Sequence, residues 1–355
     1  MRPRSYVLVV LIVLLAVLSV ISLRGISTNL ALNQLFFFTF GLIIFFVTSA
    51  IHFSNWLNGR WLWYFGIIAL LMVTLILGQA TKGAVSWLEF GSYRLQPSEL
   101  LKPVLLLLLA GEFAIGSLKN TKGIFRFALL GGLPLILVLL QPDFGTASTL
   151  IVGVVTLFML TEPPRRLIFG SALLGCIIAV ITWAWLLQPY QKDRLLTFVK
   201  PQQDTQGRGY NAQQAMIAVG SGGLTGQGWG QGKQSHLRFL PERQTDFLYA
   251  TYAEERGFMG SAWLVLLYAG LFISLGLIAK EINNNQQRIF IISSASLLLV
   301  QTFINIGMNI GLTPVTGIPL PLFSLGGSSI LATCLTLGLI ESIRRSQLPA
   351  NNSFT

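Results

Sequence analysis

Long apolar runs alternate with short polar breaks along this chain. A helix needs about 20 apolar residues to cross a bilayer. Ten runs approach or reach that length: 6–23, 34–53, 61–77, 97–115, 124–140, 146–160, 167–187, 258–279, 289–310 and 328–343. Each predicts a membrane-spanning helix. The run ending before Gln141 and the run after Gly145 are separated only by Pro-Asp-Phe-Gly, which predicts a tight helical hairpin. The first run follows Arg2 and Arg4, is too long and apolar for a typical signal peptide and precedes no A-x-A site, so it reads as a retained anchor. Three longer stretches interrupt the pattern, at 79–96, at 188–256 and, rich in Pro and Gly, at 311–327.

Composition agrees with the pattern. Hydrophobic residues make up 53% of the 355 and charged residues only 10%, where a soluble domain carries about a quarter. The expected class is an all-α polytopic membrane protein of about ten transmembrane helices, forming one integral-membrane domain over 1–355. A large soluble domain and a nucleic-acid-binding module are excluded. The net charge of +11 fits loops facing anionic lipid. Arg60, Lys119, Lys122, Arg126, Arg165, Arg166, Lys280, Arg288, Arg344 and Arg345 fall on one side with the N-terminus. The positive-inside rule then places both termini in the cytoplasm. The stretch 188–256 becomes one long extracytoplasmic loop between helices 7 and 8, and the three elaborated stretches all face outward. Cys176 and Cys334 lie inside apolar runs and suggest no disulfide or metal spacing.

Candidate chemistry gathers at the outer ends of the runs. Glu242, Arg243, Asp246, Glu254, Glu255 and Arg256 crowd the mouth of the eighth span. Ionisable groups at membrane depth are costly and mark functional sites, although Thr245 or Asp246 serves equally well as a helix cap. The fourth span opens Gln96-Pro-Ser-Glu-Leu-Leu-Lys102, where Glu99 and Lys102 share a face and can pair. Asp143 sits at the hairpin turn, a common place for a capping aspartate. The glycine-rich run 220–232 fits neither nucleotide fingerprint: Gln231 follows Gly226 and Gly228 where G-x-G-x-x-G needs Gly, and Gln227 and Gln234 stand where the Walker motif needs Gly and Ser or Thr; it predicts a flexible or re-entrant loop. The last span is preceded by Pro319-Leu-Pro-Leu-Phe-Ser-Leu-Gly-Gly-Ser-Ser329. The amides of Gly326, Gly327 and Ser328 would suit a phosphate at a helix start, or form a plain flexible turn.

Taken together, the motifs Gln96–Lys102, Gln141-Pro-Asp-Phe-Gly-Thr146, Phe239–Phe247 with Ala253–Gly257, and Pro319–Ser329 resemble those of the SEDS family (shape, elongation, division, sporulation) in order and spacing. Within it the chain is more similar to the elongation branch, RodA, than to the division branch, FtsW. The resemblance implies a peptidoglycan glycosyltransferase of the bacterial inner membrane that polymerises lipid II with its site facing outside the cytoplasm. It also implies a class B penicillin-binding protein and the elongation machinery as partners. The family's essential aspartate falls on Asp246, and its carboxylate and lysine on the fourth helix fall on Glu99 and Lys102. Gln244 and Leu325 stand where the family has His and Tyr.

Polymerisation substitutes at an anomeric carbon, with a sugar hydroxyl attacking and a lipid diphosphate leaving. Asp246 is the candidate base. Lys102, Arg94, Arg243 and the start at Gly326–Ser328 are candidates for the diphosphate, with a divalent cation, Mg2+ or Mn2+, as a further source of positive charge. Glu242, Asp143 and Ser324 complete the expected substrate surface. A flippase for lipid-linked precursors and a non-catalytic scaffold are the rival readings.

Overall fold

The structure is a computed structural model and describes residues 6–81, 84–91, 93–113, 115–186, 208–237, 239–240 and 242–347. Its helices are α1 (Val7–Ile26), α2 (Thr28–Ala50), a short α3 (Phe53–Asn58), α4 (Arg60–Leu77), α5 (Pro97–Glu112), α6 (Thr121–Leu140) and α7 (Phe144–Leu160). There follow α8 (Arg165–Ile181), α9 (Arg208–Ser221), a four-residue α10 (Lys233–His236), α11 (Leu248–Glu281), α12 (Asn285–Asn309) and α13 (Gly327–Ser346). Each apolar run of the sequence falls on one of these helices. Six of them, α1, α2, α4, α6, α11 and α12, are long and apolar enough to cross a membrane. The outer surface of the bundle is apolar: Leu62, Ile76, Phe125 and Phe169 are each at least 70% exposed. A continuous surface of that kind needs lipid around it.

α5 is the central helix. Both its charged residues near the start, Glu99 and Lys102, and a run of leucines from Leu105 to Leu109 are buried. A helix buried on almost every side has neighbours all round, and α4, α13, α12 and α7 surround it. α2 lies along α13, with Gly41 against Cys334 and Gly338 against Thr48. Small residues let two membrane helices approach this closely.

Two expectations need correction. The stretch 79–96 is not a plain loop, so the fold is not strictly all-α. It forms a three-stranded antiparallel sheet of β1 (Gln79–Thr81), β2 (Ala84–Phe90) and β3 (Tyr93–Leu95) in that order. β-Branched and aromatic residues in Ala84-Val-Ser-Trp-Leu-Glu-Phe90 favour a strand, and Gly91, at φ 63°, turns the chain back.

The long loop also ends earlier than 256. α11 begins at Leu248, so Glu254, Glu255 and Arg256 are helical, and the apolar part follows a break at Gly257 (φ 64°, ψ −162°). The glycine-rich run is packed against this first part of α11. A Cβ at Gly226 would collide with the Glu255 carbonyl oxygen, and the Gln227 and Gly228 N–H groups donate to the carbonyls of Glu254 and Glu255. The glycines permit close backbone approach, not nucleotide binding. The first part of the expected loop, 188–207, lies outside the described residues.

Candidate active site

The segment 313–326 organises one end of the bundle. It has almost no regular structure, yet Leu320, Leu322 and Phe323 are fully buried. Irregular backbone at membrane depth must have its polar groups satisfied by protein, and here the carbonyls are taken in turn. Asn305 Nδ2 donates to Ile318 O at 2.8 Å, Gln301 Nε2 to Pro319 O at 2.9 Å and the Tyr268 hydroxyl to Pro321 O at 2.6 Å. Ser19 Oγ donates to Phe323 O at 2.5 Å, and Gln34 Nε2 to Ser324 O at 3.1 Å. Side chains from α1, α2, α11 and α12 thus clamp a segment whose prolines and glycines suggest mobility.

The turn 242–247 rests on that segment. Ser324 Oγ donates to Thr245 O at 2.6 Å, and the Leu325 N–H donates to Gln244 O at 3.0 Å. Glu242 sits at φ 54°, a left-handed conformation, and its carboxylate accepts from Thr245 Oγ1 at 3.1 Å. Asp246 follows, half-buried. A Cβ at Gly317 would lie 3.5 Å from Asp246 Oδ2, so the carboxylate faces the clamped segment. The Asp246 carbonyl is itself held twice, by Asn305 Nδ2 and by Asn309 Nδ2, each at 3.2 Å. Asn309 Oδ1 accepts from the Ala250 N–H at 3.1 Å. Arg243 lies half-buried in the same turn.

The start of α5 brings in the remaining residues. Pro97 takes the first helical position, where no N–H is needed. Lys102 Nζ lies 2.5 Å from Glu99 Oε1, both side chains buried, and also donates to Gln301 Oε1 at 3.1 Å. Such a pair survives in low dielectric only because each charge has its partner. A small, mainly apolar cavity adjoins it, lined by Glu99, Lys102, Gln301, Ser294, Thr333 and Thr336 together with Pro103, Leu106, Leu297, Leu298 and Ala332. Asp143 caps α7: its Oδ1 accepts from the Thr146 N–H at 3.0 Å. Its Oδ2 accepts from Gln96 Nε2 at 2.7 Å and Ser98 Oγ at 3.2 Å. With three donors in place, Asp143 acts as a structural staple joining α5 to α7. Ser328 Oγ accepts from the Gln96 N–H at 2.9 Å and donates to Arg94 O at 3.4 Å.

The expected residues therefore gather around one segment in two groups. Glu242, Arg243, Asp246 and Ser324 form the first. Arg94, Asp143 and Ser328 meet at the start of α5, with Glu99 and Lys102 deeper along it. Gly326 and Gly327 begin α13, and Phe37 lies so near Gly327 that a Cβ there would overlap its ring. Arg94 is paired across the sheet with Glu89, its direct register partner, at 2.9 Å. Glu254 is absent from the site, since its carboxylate accepts from the Gln234 and Ser235 N–H groups at 2.7 and 3.1 Å. Among the described residues, no group of three or more His, Cys, Asp and Glu side chains could hold a metal ion.

Sequence reasoning missed Gln301, Asn305 and Asn309. All three are buried and point from one face of α12 into the site. Their spacing of four inside an apolar run was the available signal.

The FTSW_RODA_SPOVE family model, described as "Cell cycle protein", matches residues 4–348. This chain belongs to that family. Peptidoglycan glycosyltransferase MrdB of Escherichia coli K12 is 38% identical over 290 residues, covering 80% of this chain and 77% of that protein. Among solved structures, a chain of a peptidoglycan synthase complex, reported for the coordination of polymerization and crosslinking, superposes with a TM-score of 0.83 at 30% identity. It covers 96% of this chain and 98% of its own. Rod shape determining protein RodA of Thermus thermophilus gives a TM-score of 0.73 at 28% identity over 97% of both chains. The SEDS-type architecture expected from the motifs is thus shared along nearly the whole length.

Proposed function

We propose that this protein is a peptidoglycan glycosyltransferase of the elongation type, polymerising lipid II into glycan strands. It works beside a class B penicillin-binding protein that cross-links them. The observation that carries the reading is Asp246: a half-buried carboxylate on a turn whose backbone is fixed by three side chains. A general base must be held where the proton it takes will be. Asp246 takes the proton of the attacking sugar hydroxyl as the new glycosidic bond forms, and the lipid diphosphate departs with the electron pair of the broken bond. Arg243, in the same turn, and Arg94, on the neighbouring hairpin, supply positive charge for the departing diphosphate. Lys102 acts from deeper in the bundle, in a pair with Glu99. The start of α13 at Gly326–Ser328 adds its amides.

A divalent cation belongs with the substrate. Mg2+ is commonly held by one or two carboxylates plus substrate phosphates, and Glu242, in the turn beside Asp246, is the carboxylate that would hold it, leaving Asp246 as the base. All ten apolar helices span the bacterial inner membrane in this reading. Both termini lie in the cytoplasm and the site opens outward. The orientation rests on the basic residues between the spans.

The test is polymerisation of lipid II by the purified chain, co-purified with a class B partner and read as strands on a gel. Strands from wild type and none from Asp246→Asn are expected. Wild-type failure with the partner present would reject the enzyme. The buried Glu99–Lys102 pair inside the bundle favours a second reading, a lipid-linked precursor transporter. That reading predicts lipid II translocation in liposomes without polymerisation. A division role is separated from an elongation role by the shape of depleted cells: rounding for elongation, filaments for division.

A further inference from the structure

The Asp246 carbonyl and the Ala250 N–H are four residues apart. In a continuous α-helix they would bond to each other. Here one side chain engages both: Asn309 Oδ1 accepts from Ala250 N–H at 3.1 Å, and Asn309 Nδ2 donates to Asp246 O at 3.2 Å. The carboxamide substitutes for the first rung of α11. Helical geometry therefore begins only at Leu248, and Asp246 stays on the turn. Asn305, one helical turn earlier on α12, donates to the same carbonyl and to Ile318 O. Gln301, a further turn back, links Lys102 to Pro319 O. All three are 1% exposed or less.

We propose that Asn309 is the positioning residue for Asp246, with Asn305 as its support, and that this carboxamide ladder sets the direction of the base. An apolar side chain at 309 would leave Asp246 O and Ala250 N–H to pair with each other, which winds the helix back through the turn and swings the carboxylate away from Gly317. The amide caps an otherwise unpaired N–H of the first turn and in the same contact holds the carbonyl of the residue that carries the carboxylate. The proposal rests on the reading of Asp246 as the base.

The experiment uses the full chain co-purified with a class B penicillin-binding protein and measures initial rates of lipid II polymerisation over a range of lipid II concentrations. Four variants are compared with wild type for rate and thermal unfolding: Asp246→Asn, Asn309→Ala, Asn309→Asp and Thr302→Val. Thr302 is a buried polar residue on the same helix whose hydroxyl donates to the Leu298 carbonyl one turn earlier, and it controls for the loss of a buried polar group. The expected result is no strands from Asp246→Asn. Asn309→Ala should lose kcat by on the order of 10²-fold with KM unchanged, as misplacement of a reacting group does, while unfolding near the Thr302→Val temperature. Asn309→Asp keeps the acceptor for Ala250 but not the donor to Asp246, and should fall as far. Full kcat in Asn309→Ala beside a dead Asp246→Asn overturns the positioning role and leaves the base standing. Strands from Asp246→Asn overturn the base, and the positioning role with it. Failure of both Asn309 variants to fold assigns the residue to stability alone and also overturns the proposal.

Discussion

Ser324 and Thr245 are 79 positions apart and joined by a hydrogen bond of 2.6 Å, hydroxyl to carbonyl. The same hydroxyl accepts from the Leu320 N–H at 3.0 Å. One small side chain thus fixes both the bend of the clamped segment and the turn that carries Asp246. Ser324→Ala removes both bonds and leaves Leu320 N–H buried without its acceptor, a cost of about 1–3 kcal/mol. Polymerisation should fall more steeply than stability, because the turn loses its anchor before the bundle loses its core. Rates and thermal unfolding measured on the same preparation check this, and equal losses in both would contradict it.

Lys102→Ala leaves Glu99 buried without its cation. Breaking a buried pair from one side costs about 3–5 kcal/mol, so this variant should unfold at a clearly lower temperature. Replacing both residues together, Glu99→Gln with Lys102→Met, should recover most of that stability without recovering polymerisation. If the double variant polymerises at the wild-type rate, the pair has no part in the chemistry.

Asp143 makes a contrasting case. Asp143→Asn retains an oxygen for the Thr146 N–H, and the Gln96 carboxamide can turn to present its own oxygen. Activity should stay within a few-fold of wild type. Asp143→Ala loses the cap, worth about 0.5–2 kcal/mol, and should lower the unfolding temperature. An inactive but stable Asp143→Asn would show that the carboxylate meets substrate.

Gly226→Ala tests the packing of the glycine-rich run. The position has φ 85°, and the added carbon would meet the Glu255 carbonyl oxygen. Destabilisation should exceed about 1 kcal/mol. Gly220→Ala, where nothing lies within 4 Å, should be neutral by the same unfolding measurement.

How far the sequence reached follows from the physics of each part. Membrane helices announce themselves by sustained apolarity, so the apolar runs fall on helices, six of them long and apolar enough to cross a membrane. The hairpin around Asp143 was legible because Pro-Asp-Phe-Gly leaves no room for anything longer. The small sheet was not, since three short strands around Gly91 produce too little alternation to register against aromatic residues suited to an interface. The start of α11 was misplaced because Leu248–Arg256 is only moderately apolar, and its helix is stabilised by Asn309 and by the packed glycine run, both far away in sequence. The ladder of Gln301, Asn305 and Asn309 was hidden inside a span read for its oiliness. Asp246 stood out in the charged cluster and Ser324 in the Pro-rich motif, but the bond from Ser324 to Thr245, which ties the two stretches together, required the fold.

The clamped segment also has a consequence for how the protein is made. Its anchors on α1 and α2, Ser19 and Gln34, leave the ribosome long before the segment itself and before α13, which packs along α2. A nascent chain halted before residue 313 holds most of its spans and no platform for Asp246. That end of the bundle is therefore completed only after the segment and α13 have been made, however early Asp246 itself is in place.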